Sequence, residues 1–96
     1  MNKLEEKSQN TNRTLLRLEE KLIELGYKFV NKYEIWREYT KKIENSYLYL
    51  TVNNNDLSVR GLISQTNIFS QQDIDNLQQA FNVMKQDLEE LKQCQD

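Results

Sequence analysis

Aromatic and basic side chains between residues 36 and 60 are the part of this sequence whose types and spacing suit recognition of another molecule. Tryptophan, tyrosine and arginine contribute most of the binding energy at protein interfaces, because each combines a large contact area with a polar group. In an extended strand every second side chain lies on the same side of the sheet. The candidate partner-binding residues that such strands would gather are Trp36, Lys42, Tyr47, Tyr49 and Arg60.

Aliphatic side chains occupy the alternate positions of the same segments. The residues expected on the core side of the third predicted strand are Leu48, Leu50 and Val52, and the two tyrosines lie on its other side. On the preceding strand the residues expected on the core side are Ile35, Tyr39 and Ile43. If the aliphatic side forms the core, the aromatic side is free to bind a partner. The alternative is that the second helix covers the aromatic side, so that these rings only pack in the interior.

Catalytic chemistry has few candidate residues in this chain, which contains no histidine, one cysteine and two glycines. Acid and base catalysis would fall to carboxylates, which must converge in a pocket before their pKa values become useful. Adjacent residues such as Glu89 and Glu90 diverge by about 100° around a helix, so they indicate solvated faces. We therefore expect that the protein is not an enzyme.

Metal and cofactor sites also lack their usual sequence patterns. Gly26 and Gly61 are too far apart for a glycine-rich phosphate loop. Residues 53–56 are rich in side-chain oxygens, as at the start of a calcium loop, but Ser58 and Ser64 stand where that loop needs glycine and glutamate. Cys94 has no second cysteine for a disulfide or a metal pair. We expect no metal and no cofactor.

The first element that could support the strands is a helix over residues 14–25. Leu15, Leu18, Leu22 and Leu25 recur at spacings of three and four residues, which predicts an amphipathic helix. Gly26 is expected to close that helix in the left-handed conformation. We predict that residues 1–13 form a flexible or frayed segment and that residues 14–96 form a single α+β domain.

The middle of the chain changes to a two-residue period from residue 27 onward, which predicts strands. We divide residues 27–43 into two strands near residues 31–34, and expect further strands over residues 47–52 and 57–63. The run of asparagines at residues 53–55 favours a turn between the last two. Because the links are short, the prediction is an antiparallel meander of three or four strands.

A long amphipathic helix is predicted to follow, with the Ser70 hydroxyl capping the amide of Asp73. Its apolar residues keep a period of about 3.5 residues, as in a coiled coil or a helix laid across a core. In a parallel pair of helices, Asp87 of one chain would lie beside Lys92 of the other. Self-association into a homodimer and burial in the chain's own core are equally compatible with this seam. The predicted self-association residues are Ile74, Leu77, Phe81, Met84, Leu88 and Leu91.

Length and composition set the scale of these predictions. The chain has 96 residues, which suits one domain. Its net charge of −2 by itself carries no argument about nucleic acid, a membrane or an acidic substrate. No apolar stretch reaches membrane-spanning length and the first residues lack a secretory signal, so we expect no membrane association and a cytoplasmic protein. Eleven asparagines and nine glutamines are typical of AT-rich coding DNA, as in a low-GC bacterium or its phage.

The function most consistent with these features is a non-catalytic protein-binding module whose partner is unknown. Small size and composition favour a phage or mobile-element accessory protein that binds and regulates or inhibits a host protein. The alternative is a nucleic-acid-binding regulator, because basic and aromatic residues alternate along the second strand. Glu34 and Glu38 interrupt that run, so nucleic acid is the weaker hypothesis. The residues of the run are Lys32, Tyr33, Trp36, Arg37, Tyr39, Lys41 and Lys42. No family motif is recognisable in the sequence.

Overall fold

Along the chain, one helix is followed by four strands and a second helix, as the sequence predicts for an α+β domain. The computed structural model describes residues 3–65 and 67–94 and, within them, the side chains of residues 13–64 and 67–94. The elements are α1 (Lys3–Glu24), β1 (Lys28–Tyr33), β2 (Trp36–Ile43), β3 (Ser46–Asn53), β4 (Val59–Gln65) and α2 (Gln71–Gln93).

The strands form one antiparallel meander in the order β1-β2-β3-β4, so each strand pairs with its neighbour in sequence. β2 and β3 pair over eight residues each without interruption. β3 and β4 also keep one register, from Ser46 opposite Gln65 to Val52 opposite Val59. β1 differs, because a bulge between Phe29 and Asn31 shifts its register on β2.

Both helices pack on the same face of the sheet, which makes a structure of two layers. The aliphatic side of β3 faces this layer boundary, which decides between the two alternatives that its alternation with the tyrosines left open. The opposite face of the sheet carries no helix among the described residues. The buried core side chains are Leu18, Leu22, Tyr27, Tyr39, Leu48, Leu50, Val52, Ala80, Met84 and Leu91.

The first helix begins at Lys3, well before the predicted start at residue 14. Its end matches the prediction, because Gly26 has a φ of 98°. The Gly26 amide donates to the Ile23 carbonyl at 3.0 Å and the Tyr27 amide donates to the Leu22 carbonyl at 2.9 Å. These bonds satisfy carbonyls that the helix end would leave unpaired. Residues 1 and 2 lie outside the described residues, and the flexibility expected of residues 1–13 stays a prediction.

Two apolar residues lie in turns where strand or core positions were expected. Ile35 occupies the two-residue turn between β1 and β2 and is exposed, so its predicted core position was wrong. Leu57 has a φ of 63° and precedes β4, which begins at Val59. The Asn53 side chain accepts from the amides of Asn55 and Asp56 at 2.8 and 3.1 Å, and thereby extends the turn.

Two features position α2, a hydrogen-bonded cap at its start and a close approach to the sheet. The Asp73 amide donates to the Ser70 hydroxyl at 3.3 Å, and the Ser70 amide donates to the Asp73 carboxylate at 3.1 Å. This reciprocal cap confirms the predicted start. Further along, a Cβ at Gly61 of β4 would lie 2.8 Å from the Met84 sulfur. Glycine at this position therefore allows α2 to approach the sheet closely.

Candidate binding surface

The face of the sheet that points away from both helices is called the open face here. The strand registers place all five predicted partner-binding residues on it, with Lys42 directly opposite Tyr47. Leu62 and Tyr47 are 63% and 38% exposed, which shows that this face is accessible. The strand residues of the open face include Lys28, Tyr33, Trp36, Glu38, Thr40, Lys42, Tyr47, Tyr49, Thr51, Arg60 and Leu62.

Two cations of the open face stack on aromatic rings. The Arg60 guanidinium carbon lies 3.8 Å from the centre of the Trp36 ring, so Arg60 of β4 reaches across β3 to β2. The Lys42 ammonium lies 5.6 Å from the centre of the Tyr47 ring. Such contacts attract by roughly 0.5–1 kcal/mol when exposed, and they hold both partners in position. The rings are therefore partly ordered before any partner arrives.

A cleft of about 330 Å³ adjoins the open face at the end of the sheet near Gly26. Lys42 and Tyr47 belong to both the cleft and the open face. Lys28 and Lys42 bring positive charge to this cleft, which suits a negatively charged group, whereas Lys41 is paired with Asp87. The residues that line the cleft are Gly26, Lys28, Thr40, Lys41, Lys42 and Tyr47.

The basic and aromatic run of β2 is divided between the two faces of the sheet. Arg37 turns toward α1, where its Nε lies 2.8 Å from Glu19 Oε1. Tyr39 is buried, and its hydroxyl donates to the same Glu19 oxygen at 3.1 Å. Lys41 turns toward α2 and pairs with Asp87. These three residues contribute to the packing of the domain. They are therefore not part of the stacking platform that the nucleic-acid hypothesis requires.

A buried ionic cluster joins β2, the end of α1 and α2 on the covered side. The Lys41 ammonium donates to Asp87 Oδ2 at 2.9 Å and to the Leu25 carbonyl at 2.8 Å. The Tyr27 hydroxyl donates to Asp87 Oδ2 at 2.9 Å. Burial of Tyr27, followed by its hydrogen bond to the Asp87 carboxylate and the charge of that carboxylate, raises the pKa of Tyr27 above its usual range. Each polar group here has a partner, so the cluster acts as a link between layers.

This cluster was missed from the sequence, where Asp87 was assigned to a pair with Lys92 of a second chain. Asp87 is buried within its own domain instead. One signal was available, because Asp87 lies three residues after Met84 and four before Leu91. An acidic residue at those spacings shares the apolar stripe of its helix, and a buried carboxylate needs a cation nearby.

The predicted seam of α2 is divided between core and surface. Met84 and Leu91 are buried, and Leu88 packs against the core. In contrast, Phe81 is 60% exposed and Ile74 is 40% exposed. Leu77 is half-buried and lines a shallow cleft together with Phe81. The exposed part of the seam is therefore its first half, and the second half stabilises the monomer.

Other kinds of site find no support in the described part of the chain. No group of three histidine, cysteine or acidic side chains there is placed to hold a metal ion. Neither helix, over its described residues, is long and apolar enough to cross a bilayer. Cys94 is a half-buried free thiol.

The geometry thus gathers the predicted partner-binding residues on one accessible face and separates the predicted self-association residues into two groups. Comparisons with known proteins add no further assignment to either group. No protein-family model, no curated protein and no solved structure matches the chain.

Proposed function

We propose that this chain is a non-catalytic protein-binding module that uses the open face to dock on another protein. The observation that supports it is an uncovered sheet face on which Trp36, Tyr47 and Tyr49 lie together, with Arg60 and Lys42 stacked on two of the rings. Large aromatic and arginine side chains are the residue types that concentrate binding energy. Their mutual contacts reduce the entropy lost when a partner orders them.

The charge of the open face narrows the chemistry of the partner. Lys28, Lys42 and Arg60 are its basic strand residues, and Glu38 is the acidic one. Lys28 and Lys42 also line the adjoining cleft, whereas its third lysine, Lys41, is paired with Asp87. Complementary charge favours correct encounter and excludes wrong partners. The proposed partner surface is therefore apolar at its centre and carries carboxylates at its rim.

A protein partner fits these contacts better than a nucleic acid does. Bases bind to sheets by stacking on free aromatic faces. On the open face, Arg60 already lies over Trp36 and Lys42 already lies over Tyr47. Arg37 and Lys41 are engaged with carboxylates on the other side of the sheet. Few cations remain to neutralise phosphates, so the nucleic-acid-binding regulator stays the alternative.

The composition supports a narrower form of the same proposal. The chain is small and rich in asparagine and glutamine, which is typical of low-GC bacteria and their phages. We place it in the cytoplasm as an accessory protein of a phage or mobile element. In that role it regulates or inhibits a host protein by covering part of the host protein's surface.

The proposal is tested by capturing partners from a low-GC bacterial lysate with the wild type, Trp36→Ala and Leu16→Ala. Leu16 is the matched control, because it is an exposed apolar residue on α1, in the other layer. A protein held by the wild type and Leu16→Ala but lost with Trp36→Ala is then titrated in purified form. Loss of one central aromatic anchor costs about 2 kcal/mol, which weakens binding about 30-fold.

Salt dependence separates the two partner classes. The protein complex should weaken little between low and physiological salt, whereas six phosphate contacts lose roughly a thousandfold between about 50 and about 200 mM. Steep salt-dependent binding to oligonucleotides would favour the alternative function. Unfolding of both Trp36→Ala and Tyr49→Ala, seen by circular dichroism, would show that these rings are structural and would contradict the proposal.

A further inference from the structure

We infer that two copies of this chain associate through β4, so that one sheet continues across both copies about a twofold axis at Leu62. β4 is the last strand of the sheet, and no described strand pairs with its outer edge. An unpaired edge presents amide and carbonyl groups that can pair with another strand. The inference concerns the isolated chain and does not depend on the proposed protein partner.

The two edges of the sheet differ in their protection against such pairing. β1 has a bulge between Phe29 and Asn31 and carries Lys28 and Lys32. Bulges and lysines are the features by which natural edge strands avoid pairing. β4 keeps a continuous register on β3, and among its residues only Arg60 is charged. The β4 edge is therefore open to pairing, and the β1 edge is not.

The sequence of β4 is compatible with its own copy. Antiparallel pairing centred on Leu62 places Arg60 opposite Ser64 of the second copy and brings the two Leu62 side chains together. No like charges then face each other. Directly opposite like charges destabilise a strand pair, and this pairing of β4 avoids them. β1 offers no such regular pairing, because its bulge lies at its centre, between Phe29 and Asn31.

The flank of α2 above β4 supplies a second, apolar layer for this contact. Leu88 and Val59 line one cleft, so the flank that carries Leu88 lies on the β4 side of the helix. Phe81 precedes Leu88 by seven residues, or two turns, and shares that flank. Met84 packs on Gly61, which places Phe81, about one turn earlier, near the centre of β4.

α1 lies along the opposite flank of α2. The Lys21 ammonium of α1 lies 3.6 Å from Glu90 Oε2 of α2. The apolar stripe on the β4 side runs from Ile74 and Phe81, which are exposed, to Leu88, which is half-buried. At 1.5 Å per residue it is about 21 Å long, and the seven residues of β4 span about 20 Å. Phe81 is at the middle of the stripe, and Leu62 is at the middle of the strand. One twofold axis therefore serves both layers, which is the condition for a closed dimer.

The dimer predicts which substitutions change the oligomeric state measured by sedimentation equilibrium. The wild type should be a dimer, and Leu62→Lys should raise the dimer dissociation constant by about tenfold or more, since it places two ammonium groups at the axis. Phe81→Ser should weaken the dimer in the same direction. Val30→Lys is the matched control, because Val30 is an exposed apolar residue at the centre of the other edge. It should leave the dimer unchanged.

A cross-linking experiment tests the axis without destabilising the edge. In a Cys94→Ser background, Leu62→Cys should form a disulfide-linked dimer on oxidation, because opposite residues of an antiparallel pair have Cβ atoms about 5 Å apart. Val30→Cys should form no disulfide-linked dimer under the same conditions. A wild type that is monomeric at millimolar concentration would overturn the inference. So would a dimer that Val30→Lys dissociates, or one in which Leu62→Cys fails to cross-link.

Discussion

The two faces of the sheet place their charged residues in different environments. On the covered face, Arg37 and Lys41 extend from β2 to carboxylates of α1 and α2. On the open face, Arg60 lies over Trp36, with no acidic partner among the ion pairs of the described residues. A cation that stacks on a ring keeps its charge, whereas a paired one is neutralised. Charges on the covered face thus join the layers, and those on the open face are available to a partner.

The largest expected effect compares two neighbouring residues of β3. Leu50 is fully buried on the covered face, and Tyr49 lies on the open face. Leu50→Ala should lower the free energy of unfolding by about 3 kcal/mol, because it removes buried methyl groups and leaves a cavity. Tyr49→Ala should lower it by less than about 1.5 kcal/mol. Urea denaturation measures both. Equal losses would show that the two faces contribute alike to the core.

A second comparison concerns the charges themselves. Asp87→Ala leaves the Lys41 ammonium buried without its carboxylate, and the free energy of unfolding should fall by about 3 kcal/mol. Arg60→Ala removes an exposed contact with Trp36 and should cost only about 0.5–1 kcal/mol. Both values come from chemical denaturation at neutral pH. A cost below about 1 kcal/mol for Asp87→Ala would contradict its role as a link between layers.

Alkaline pH should weaken the covered side through Tyr27. Its pKa is raised in the folded protein from the usual value of 10.0, so the folded state holds this proton more tightly than the unfolded state does. The contribution of Tyr27 to the free energy of unfolding is complete below about pH 10. It is lost as the pH rises further, at no more than about 1.4 kcal/mol per pH unit. Tyr27→Phe should start less stable and lose stability less steeply between about pH 10 and about pH 11. Identical slopes would show that Tyr27 does not titrate in this way.

A further effect, smaller than those of Leu50→Ala and Asp87→Ala, concerns the cap that starts α2. Ser70→Ala should lower the free energy of unfolding by about 1 kcal/mol, because the Asp73 amide loses its acceptor. The Phe69 amide donates to the Asp73 carboxylate and lowers the pKa of Asp73, with further help from Ser70 and Asn45. The carboxylate therefore stabilises the fold above its unfolded pKa near 3.8, and that contribution is lost as the pH falls through the lower folded pKa.

A pH series checks this sign. The difference in stability between the wild type and Asp73→Ala should be largest at neutral pH and should shrink in acid. Asp75→Ala is the matched control, because Asp75 lies two residues further along α2 and accepts from the Gln71 side chain at 3.1 Å, not from the cap. A difference that stays constant down to about pH 2 would show that the Asp73 charge has no role in the cap.

Alternation along the strands predicted which side chains share a side of the sheet, but not which side the helices leave uncovered. The two-residue period of β3 assigns each side chain to one face, and its register on both neighbours is continuous. Trp36 and Arg60 therefore share a face, as predicted from residue types and positions alone. Their direct contact was beyond prediction, because it depends on how far a long side chain reaches across β3.

The sequence could not predict which residues of the α2 seam lie in the core and which lie on the surface. A heptad count selects large apolar residues, whereas the observed contact with the sheet also includes Ala80 and Asp87. Which flank faces the sheet depends on the close approach at Gly61, and that approach requires a tertiary contact. The prediction that a strand begins at Leu57 was wrong for a related reason. The Asn53 side chain accepts a hydrogen bond within the turn and thereby competes with the hydrogen bonds between strands.

The meander order has a consequence for how the chain folds. Each strand pairs with its neighbour in sequence, so the sheet closes only short loops and such hairpins form within microseconds. The helical layer instead unites distant parts of the chain, as the contact between Lys21 and Glu90 shows. Since α2 is synthesised after the sheet, the part of the covered face that packs on α2 stays uncovered until α2 has emerged from the ribosome. That interval is when a nascent chain of this topology is most exposed to aggregation.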